Sequence, residues 1–500
     1  MALPAGTVWE VRPTAGSDTN GGGFVAGAAG TDWTQQNAAK YALTNGVTNG
    51  TTLIATVSAS ADMVGNIVYV TGGTGSVAAA WYQIVSQVTG VSITVDRSTG
   101  LTAGTGVTLN IGGALATVSQ AFTSATACNT VWIKNSGTYT VTATLTTSLD
   151  SGQSSSQGTA FFIIGYGTTR GDNTQVTWTT STNSTNLFTF SYSGSFGTGF
   201  VFQNIKFTCT AGTPGDGLFI GNNAGRMTNL SVVNCYFSGF VRGISAQNFG
   251  NTNDLGNILV ENTEITACTA YGLINASGIL VNCYIHGNGS GGGGGVDFWD
   301  GAQAEATCLL LRCTIYNNTG PGITASGHGQ AGTQLIVVNC NLVSNSTTGL
   351  TFDFTNSNGS GILFVSNSIF VSNGTFAMSS SLTIAGTGNL ATFVGLYNAF
   401  YNNISGNYQQ LTAAPTDISL SGSPFNSPST GDFSLNSTAG QGALCKGAGY
   451  QGTLAGASGG ATSATIDIGA VQSAGGGGGG TTTNYIISKN TTQVVLEEGY

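Results

Sequence analysis

Acidic side chains are scarce in this sequence, 20 Asp and Glu among 500 residues, so places where carboxylates gather stand out. Residues 295–300 read GVDFWD and 349–354 read GLTFDF. Paired carboxylates are the working groups of glycoside hydrolysis: one protonates the leaving oxygen while the other acts as base or nucleophile. An indole beside them offers a stacking surface for a sugar ring. Asp297, Asp300 and Asp353 are therefore the catalytic candidates, and Trp299, His286 and His328 the glycan-binding ones. The bland alternative is that a few surface aspartates keep a weakly charged chain soluble and that Trp299 packs against a loop. No Cys/His grouping has the spacing of a zinc site. The run 287–296, GNGSGGGGGV, reads as a long turn and not as a phosphate cradle, so neither a metal nor a cofactor is expected.

Positioning such residues requires a scaffold, and composition narrows its kind. Gly contributes 78 residues and charged residues only 6%, against about 25% in an ordinary soluble domain. Hydrophobic residues still reach 40%, which a disordered chain lacks. An all-β protein with many tight turns fits both facts. The net charge of −9, with eleven Lys and Arg spread thinly, excludes the clustered cations that nucleic acid demands. No apolar run reaches the roughly 18 residues of a membrane helix. The opening MALPAGTVWEVRP lacks the basic and apolar regions of a signal peptide. The cysteines number nine; their placement suggests buried thiols and not a disulfide framework.

One pattern returns between about 200 and 405: apolar residues, Asn, a small residue or Cys, a variable residue, then an apolar one. It gives FQNIKF at Asn204, VVNCYF at Asn234, VENTEI at Asn262, LVNCYI at Asn282, LLRCTI at Arg312, VVNCNL at Asn339, VSNSIF at Asn367 and LYNAF at Asn398. Each unit has a second half with Gly before an aliphatic, as at Gly243-Ile244, Gly272-Leu273, Gly295-Val296, Gly322-Ile323 and Gly349-Leu350. Two short strands per coil follow from this reading. A single coil cannot bury its own apolar side, and coils stacked about 4.8 Å apart pair every strand above and below. Asn suits the turn because it tolerates the left-handed region, and its amide can bond the next Asn along the axis. Cys235, Cys283, Cys313 and Cys340 share one rung position and read as small packing groups. In this register Asp297 and Trp299 point outward, and Asp353 aligns with Trp299. Asp297 and Asp353 are then two rungs, roughly 10 Å, apart along the axis, near the upper limit of about 6.5–9.5 Å for an inverting pair.

These repeats resemble those of pectate-lyase-like right-handed parallel β-helix proteins. The segment 112–141 resembles the opening of such a solenoid, with a short amphipathic helix (Leu115, Val118, Phe122) over the open end and a first strand at 131–134. Residues 432–450 and 466–472 resemble its closing segments. Four regions are expected: a small β-rich N-terminal domain over 1–111, the β-helix over 112–410, a cap over 411–472, and a glycine linker with a β-prone tail over 473–500. Within the first, 31–43 reads as a short helix capped by Asp32, and 63–73 and 81–97 as paired strands. The tail has β-prone halves around Tyr485 and Leu496, suited to a hairpin or to an added strand on a neighbour. The N-terminal region is similar to those of β-helix proteins encoded by tailed phages. That resemblance implies a virion surface protein (a fibre, spike or capsid decoration) made in the host cytoplasm. It implies anchoring to other virion proteins through the N-terminal domain, presentation of the solenoid to host glycans, and a homotrimeric assembly. The sparse carboxylates favour this reading over a polysaccharide depolymerase, which is the alternative, and an exported adhesin would be favoured by an N-terminal export signal that the opening residues do not show.

Overall fold

A computed structural model describes the chain except residues 1–2, 5, 49–51, 55–58, 75–79, 99–103, 125–128, 148–159, 191–198, 221–228, 247–256, 276, 301–305, 328–332, 354–360, 382–390, 451–465, 473–483, 487–494 and 498–500. The chain divides into two compact units, one of residues 1–246 with 254–264, the other of 247–253 with 265–500. The fold is all-β, a parallel β-solenoid with a small β-rich domain near the N-terminus.

In the first unit every rung has three strands, not two. Thr130–Lys134, Ala160–Tyr166, Gly199–Gln203, Asn229–Val233 and Asn257–Glu261 stack in parallel as a first sheet. Tyr139–Thr140, Val176–Thr180, Ile205–Cys209 and Tyr236–Ser238 form the second. Leu145–Thr147, Phe188–Phe190, Leu218–Ile220 and Ile244–Ala246 form the third. The additional strand arises because, from Asn204 on, the corner between the first two sheets is only one or two residues, as at Asn204 and Asn234-Cys235, so the sequence shows no loop there. Asn204, Asn234, Asn262, Asn282, Arg312, Asn339, Asn367 and Tyr397 all have φ between 48° and 59°, the left-handed region that Asn enters most readily after Gly. The last corner is Tyr397 and not Asn398, which takes the position occupied by the cysteines one residue later. Asn234 Nδ2 donates to Asn204 Oδ1 at 2.7 Å, the axial amide bond anticipated from the repeat.

The interior of this unit is aromatic. Phe188 meets Phe202 edge-on at 5.2 Å, and Phe207 stacks on Phe237 at 4.7 Å. The helix Val118–Ser124 lies over the end of the stack: Leu115 and Val118 are buried, and Phe122 contacts Phe161 and Phe188. Asp18 accepts from the Ala116 and Thr117 amides and the Thr117 hydroxyl just before the helix begins.

The N-terminal segment is split between two structures. Tyr41–Thr48, Thr52–Ile54, Ile67–Gly72, Ala80–Val88, Ser92–Val95 and Gly104–Ile111 close into a small barrel. The paired strands expected over 63–73 and 81–97 are its antiparallel neighbours Ile67–Gly72 and Ala80–Val88. Thr7–Val11, by contrast, belongs to the solenoid: it pairs in parallel with Thr130–Lys134, and Gly23–Val25 covers its other edge. The helix expected over 31–43 does not form. Asp32 accepts from the Thr34 amide and hydroxyl, but the Trp33 and Gln36 carbonyls accept from Gly113 and Ala114 and are lost to a helical ladder. Glu10, fully buried, accepts from Arg12 Nε at 3.1 Å, from Arg170 Nη2 at 2.7 Å and from the Tyr166 hydroxyl. Arg170 also reaches Asp32 at 3.1 Å, joining 31–34 to the solenoid wall.

The second unit has the same three-strand rung. Gly278–Val281, Ala306–Leu311, Thr333–Val338, Gly361–Ser366 and Ala391–Leu396 form its first sheet. Tyr284–His286, Thr314–Tyr316, Asn341–Val343, Ile369–Val371, Ala399–Tyr401 and Ile418–Ser419 form the second. Leu273–Asn275, Val296–Asp300, Ile323–Gly327, Leu350–Asp353, Phe376–Ser381 and Gly406–Gln409 form the third. Its second corner holds a feature that sequence reasoning missed, a ladder of buried asparagines. Asn288, Asn318, Asn345, Asn373 and Asn403 donate in series, each Nδ2 to the next Oδ1 at 2.9–3.1 Å. Each also donates to a core carbonyl: Ile265, Ile285, Ile315, Leu342 and Phe370 at 3.0–3.2 Å. The repeated Gly before the third sheet has a steric cause. A Cβ at Gly322 would lie 2.6 Å from the Gly349 carbonyl oxygen and 2.8 Å from Asn345 Nδ2, so only Gly lets ladder and sheet close together.

Residues 411–450 and 466–472 add the strand Ile418–Ser419 and then run along the outer face of the second sheet. Phe425, Phe433, Leu435, Cys445 and Ile468 cluster there with Val343 and Val371. Asn339 Nδ2 donates to the Asp467 carbonyl, Ala470 N to Asn341 Oδ1 and Tyr450 N to Asn367 Oδ1. Asn484–Ile486 and Val495–Glu497 pair antiparallel, while the glycine run 475–480 lies outside the described residues. The eight described cysteines are buried and unbridged. No described helix is long and apolar enough to cross a membrane.

Candidate functional site

Asp297 sits in Val296–Asp300, between inward Val296 and Phe298, which are 0% and 1% exposed. Alternation turns Asp297 to the outer face of the third sheet, as the sequence predicts. Its register partners are Ile274 on one side and Thr324 on the other. The side chain is nevertheless covered: Asp297 is 9% exposed, and its Oδ1 is sealed from solvent with no hydrogen-bond partner. The residual exposure belongs to its other atoms. Burial without a compensating donor penalises the carboxylate and raises the Asp297 pKa to about 7. Tyr271, half-buried in the turn that enters this sheet, has a phenol pKa raised first by burial and then by the Asp297 charge.

The neighbouring rungs continue the face with hydroxyl groups. Thr324 and Thr351 follow Asp297 in one column, and Thr351 accepts from Ser379 Oγ at 3.3 Å. Trp299, Ser326 and Asp353 share the next column, which is the alignment read from the sequence. Asp353 is half-buried. Asp297 and Asp353 are thus two rungs apart and two residues out of line. About 9.6 Å along the axis combined with about 6.7 Å along the strand separates their α-carbons by roughly 12 Å. Their carboxyls reach the inverting range only by leaning toward each other. The side chains of Trp299 and Asp300, and all of His328, lie outside the described residues.

His286 is on a different face. It ends a strand of the second sheet, where its ring stacks on Tyr316 at 4.5 Å and its Nδ1 lies 3.3 Å from Thr266 Oγ1. Tyr316 in turn contacts Phe433 of the C-terminal segment at 4.7 Å. The fold does not bring His286 to Asp297. Tyr271 is the residue the sequence reading passed over; its signal was its place immediately before the repeated Gly-aliphatic pair, at Gly272-Leu273. Among the described residues no cluster of His, Cys, Asp and Glu is suited to a metal ion.

Residues 216–404 match the family model described as a right handed beta helix region. No curated protein matches the sequence. Solved structures similar to this chain include the catalytic domain of Agl-KA, at 13% identity and a TM-score of 0.38, covering 83% of this chain and 94% of that one. The pectate lyase Pel9A is similar at 15% identity and a TM-score of 0.35, with 72% and 91% covered. The catalytic unit of a thermostable GH87 alpha-1,3-glucanase from Streptomyces thermodiastaticus strain HF3-3 is similar at 14% identity and a TM-score of 0.35, with 83% and 94% covered. The strand order and the family match together make this chain a right-handed parallel β-helix repeat protein.

Proposed function

We propose that the protein acts on polysaccharide along the third sheet of its second unit, with Asp297 as the proton donor. One observation carries the reading: a carboxyl nine-tenths buried on an outward column, one oxygen without a partner, and a pKa of about 7. Such a group is protonated near neutrality and can serve as a general acid toward a glycosidic oxygen. Of the three faces, the second is covered by the C-terminal segment and the first is apolar, leaving the hydroxyl-lined third for a glycan. The only basic residues beyond 264 are Arg312, Lys446 and Lys489, and none lies on the third-sheet strands. Among the described residues a polyanion would meet no Lys or Arg on these strands, so the substrate class we propose is a neutral glycan. Asp353 is the second carboxyl that the rung geometry offers.

Purified protein is incubated with a panel of neutral bacterial surface polysaccharides, and new reducing ends are counted. Cleavage that rises as pH falls through 7 and is abolished by Asp297→Asn is the expected result. Cleavage that survives Asp297→Asn removes Asp297 from the chemistry. Binding without cleavage in the wild type replaces hydrolysis with attachment. The surface of a phage particle is our proposal for where the chain works, and co-sedimentation with intact particles tests it.

A further inference from the structure

In the second unit each turn of the chain passes from the third sheet to the first and then to the second, as from Phe376–Ser381 to Ala391–Leu396 to Ala399–Tyr401. The last turn breaks that order. After Gly406–Gln409 in the third sheet, residues 410–417 lead directly to Ile418–Ser419 in the second, and no first-sheet strand is laid between them. Ala391–Leu396 therefore ends the first sheet with a partner on one edge only among the described residues. The Leu396 carbonyl accepts from the Asn367 amide of the preceding rung. Along a parallel strand the main-chain groups of successive residues point to opposite neighbours, so Phe393 and Gly395 aim their N–H and C=O at the place of the omitted strand. The next amide to point that way, Tyr397 N, donates to Thr416 Oγ1 at 3.0 Å; the bypassing segment satisfies the corner and leaves the strand open. Phe393 shows the same gap in its side chain. It stands in register with Leu335 and Leu363, which are 0% and 1% exposed, yet it is only half-buried. A cleft of about 460 Å³ lies there, lined by Phe393, Val394 and Gly395 of the strand and by Gln410, Leu411 and Thr412 of the bypass.

We infer that the chain's own terminal hairpin, Asn484–Ile486 paired with Val495–Glu497, adds a strand in this cleft and completes the last turn. A row of open main-chain groups is a template for strand addition. The hairpin has the matching deficit: it is a two-stranded sheet by itself among the described residues, and such a pair is marginal in water until a third strand joins it. The tether fits the distance. Ala470 N donates to Asn341 Oδ1, and Asn341 stands two rungs before Ala399 in the second sheet. The omitted strand is one rung further, roughly 14 Å along the axis from Asn341. The 12 residues from Gln472 to Asn484 reach up to about 40 Å. A strand tethered this closely meets the edge at a high effective concentration, which favours it over a strand from elsewhere. The first unit closes its own terminal strand by the same device, Gly23–Val25 pairing antiparallel with Thr7–Val11.

Hydrogen exchange on the full chain reads the amides of Phe393 and Gly395. They are expected to exchange at least about tenfold more slowly in the wild type than in Tyr485→Pro with Leu496→Pro, whose prolines take amides out of both tail strands. The Asn345 amide in the buried ladder is expected to be equally protected in both, which shows that the solenoid is intact. Tyr485→Gly with Leu496→Gly replaces the prolines should those lower the yield of folded protein. Exchange of Phe393 and Gly395 in the wild type as fast as in the proline variant means that the cleft is empty and overturns the inference. Protection that persists in both tail variants assigns the cleft to another occupant and overturns it as well. A strand supplied by the same chain holds the protection constant on dilution from about 50 to about 1 µM; protection that fades over that range belongs to another copy's tail and equally overturns it.

Discussion

Asp297→Asn should make the protein more stable, by an amount set by pH. The Asp297 carboxyl titrates at about 7 in the folded chain against 3.8 for the unperturbed group, a raised pKa that burial alone accounts for. Below pH 3.8 both folded and unfolded states carry the proton, and the side chain costs nothing. Between 3.8 and 7 the unfolded chain releases its proton while the folded chain holds it, so stability falls as pH rises. Above 7 the loss is complete. About three units at 1.36 kcal/mol each amount to roughly 4 kcal/mol. Asparagine has nearly the same shape and no charge, so the variant should match the wild type near pH 4 and exceed it by up to about 4 kcal/mol at pH 8. Denaturant melts of both proteins at pH 4, 6 and 8 measure the difference. Because solenoids unfold in segments, the comparison is best read by exchange of the Asp297 and Thr324 amides. Equal stability of the two proteins at pH 8 would refute the argument, since it would mean that the carboxylate is solvated in the folded state.

Other perturbations address the scaffold. Asn345→Ala strands the Asn318 amide groups and the Ile315 carbonyl in a buried site, where each unpaired group costs about 1–3 kcal/mol. A loss of at least 3 kcal/mol is expected by chemical denaturation, against about 1 for Asn402→Ala, which loses only the left-handed preference of an exposed residue at φ 52°. Gly322→Ala should cost about 1–3 kcal/mol, and accelerated exchange at Asn345 and Gly349 would locate the strain. Glu10→Ala leaves the buried Arg12 guanidinium without its carboxylate and the partly buried Arg170 with Asp32 alone, and should lower stability by about 3–5 kcal/mol; a melting temperature within a degree of wild type would contradict that.

The solenoid was legible because its corners use one residue type for one backbone state. Asn at φ near 50° recurs, and the Gly before each third strand marks a carbonyl too close for a Cβ. What escaped had no local signal. The additional strand per rung was hidden because an Asn corner is only one or two residues long. The buried ladder from Asn288 to Asn403 was lost among polar turns in which Asn is common anyway. The strand at 7–11 escaped because its partner lies 122 residues later, from Val8 to Thr130. At the candidate site, alternation placed Asp297 and Asp353 in their columns. It said nothing of depth, and the burial that raises the Asp297 pKa is not something a period of two reveals.

The pairing of 7–11 with 130–134 also sets an order of assembly. Closing a loop of 122 residues costs on the order of 4 kcal/mol in chain entropy, and the barrel formed by 41–111 shortens the effective loop if it folds first. Synthesis delivers those residues first. Strand 7–11 then waits, edge exposed, as the template on which 130–134 is laid, and each later rung of the first unit extends the one before it. Growth would run from N-terminus to C-terminus at the pace of translation, with the partly built end always the newest. A chain deprived of its first eleven residues would lack that starting edge together with buried Trp9 and Glu10, and would lose initiation rate as well as final stability.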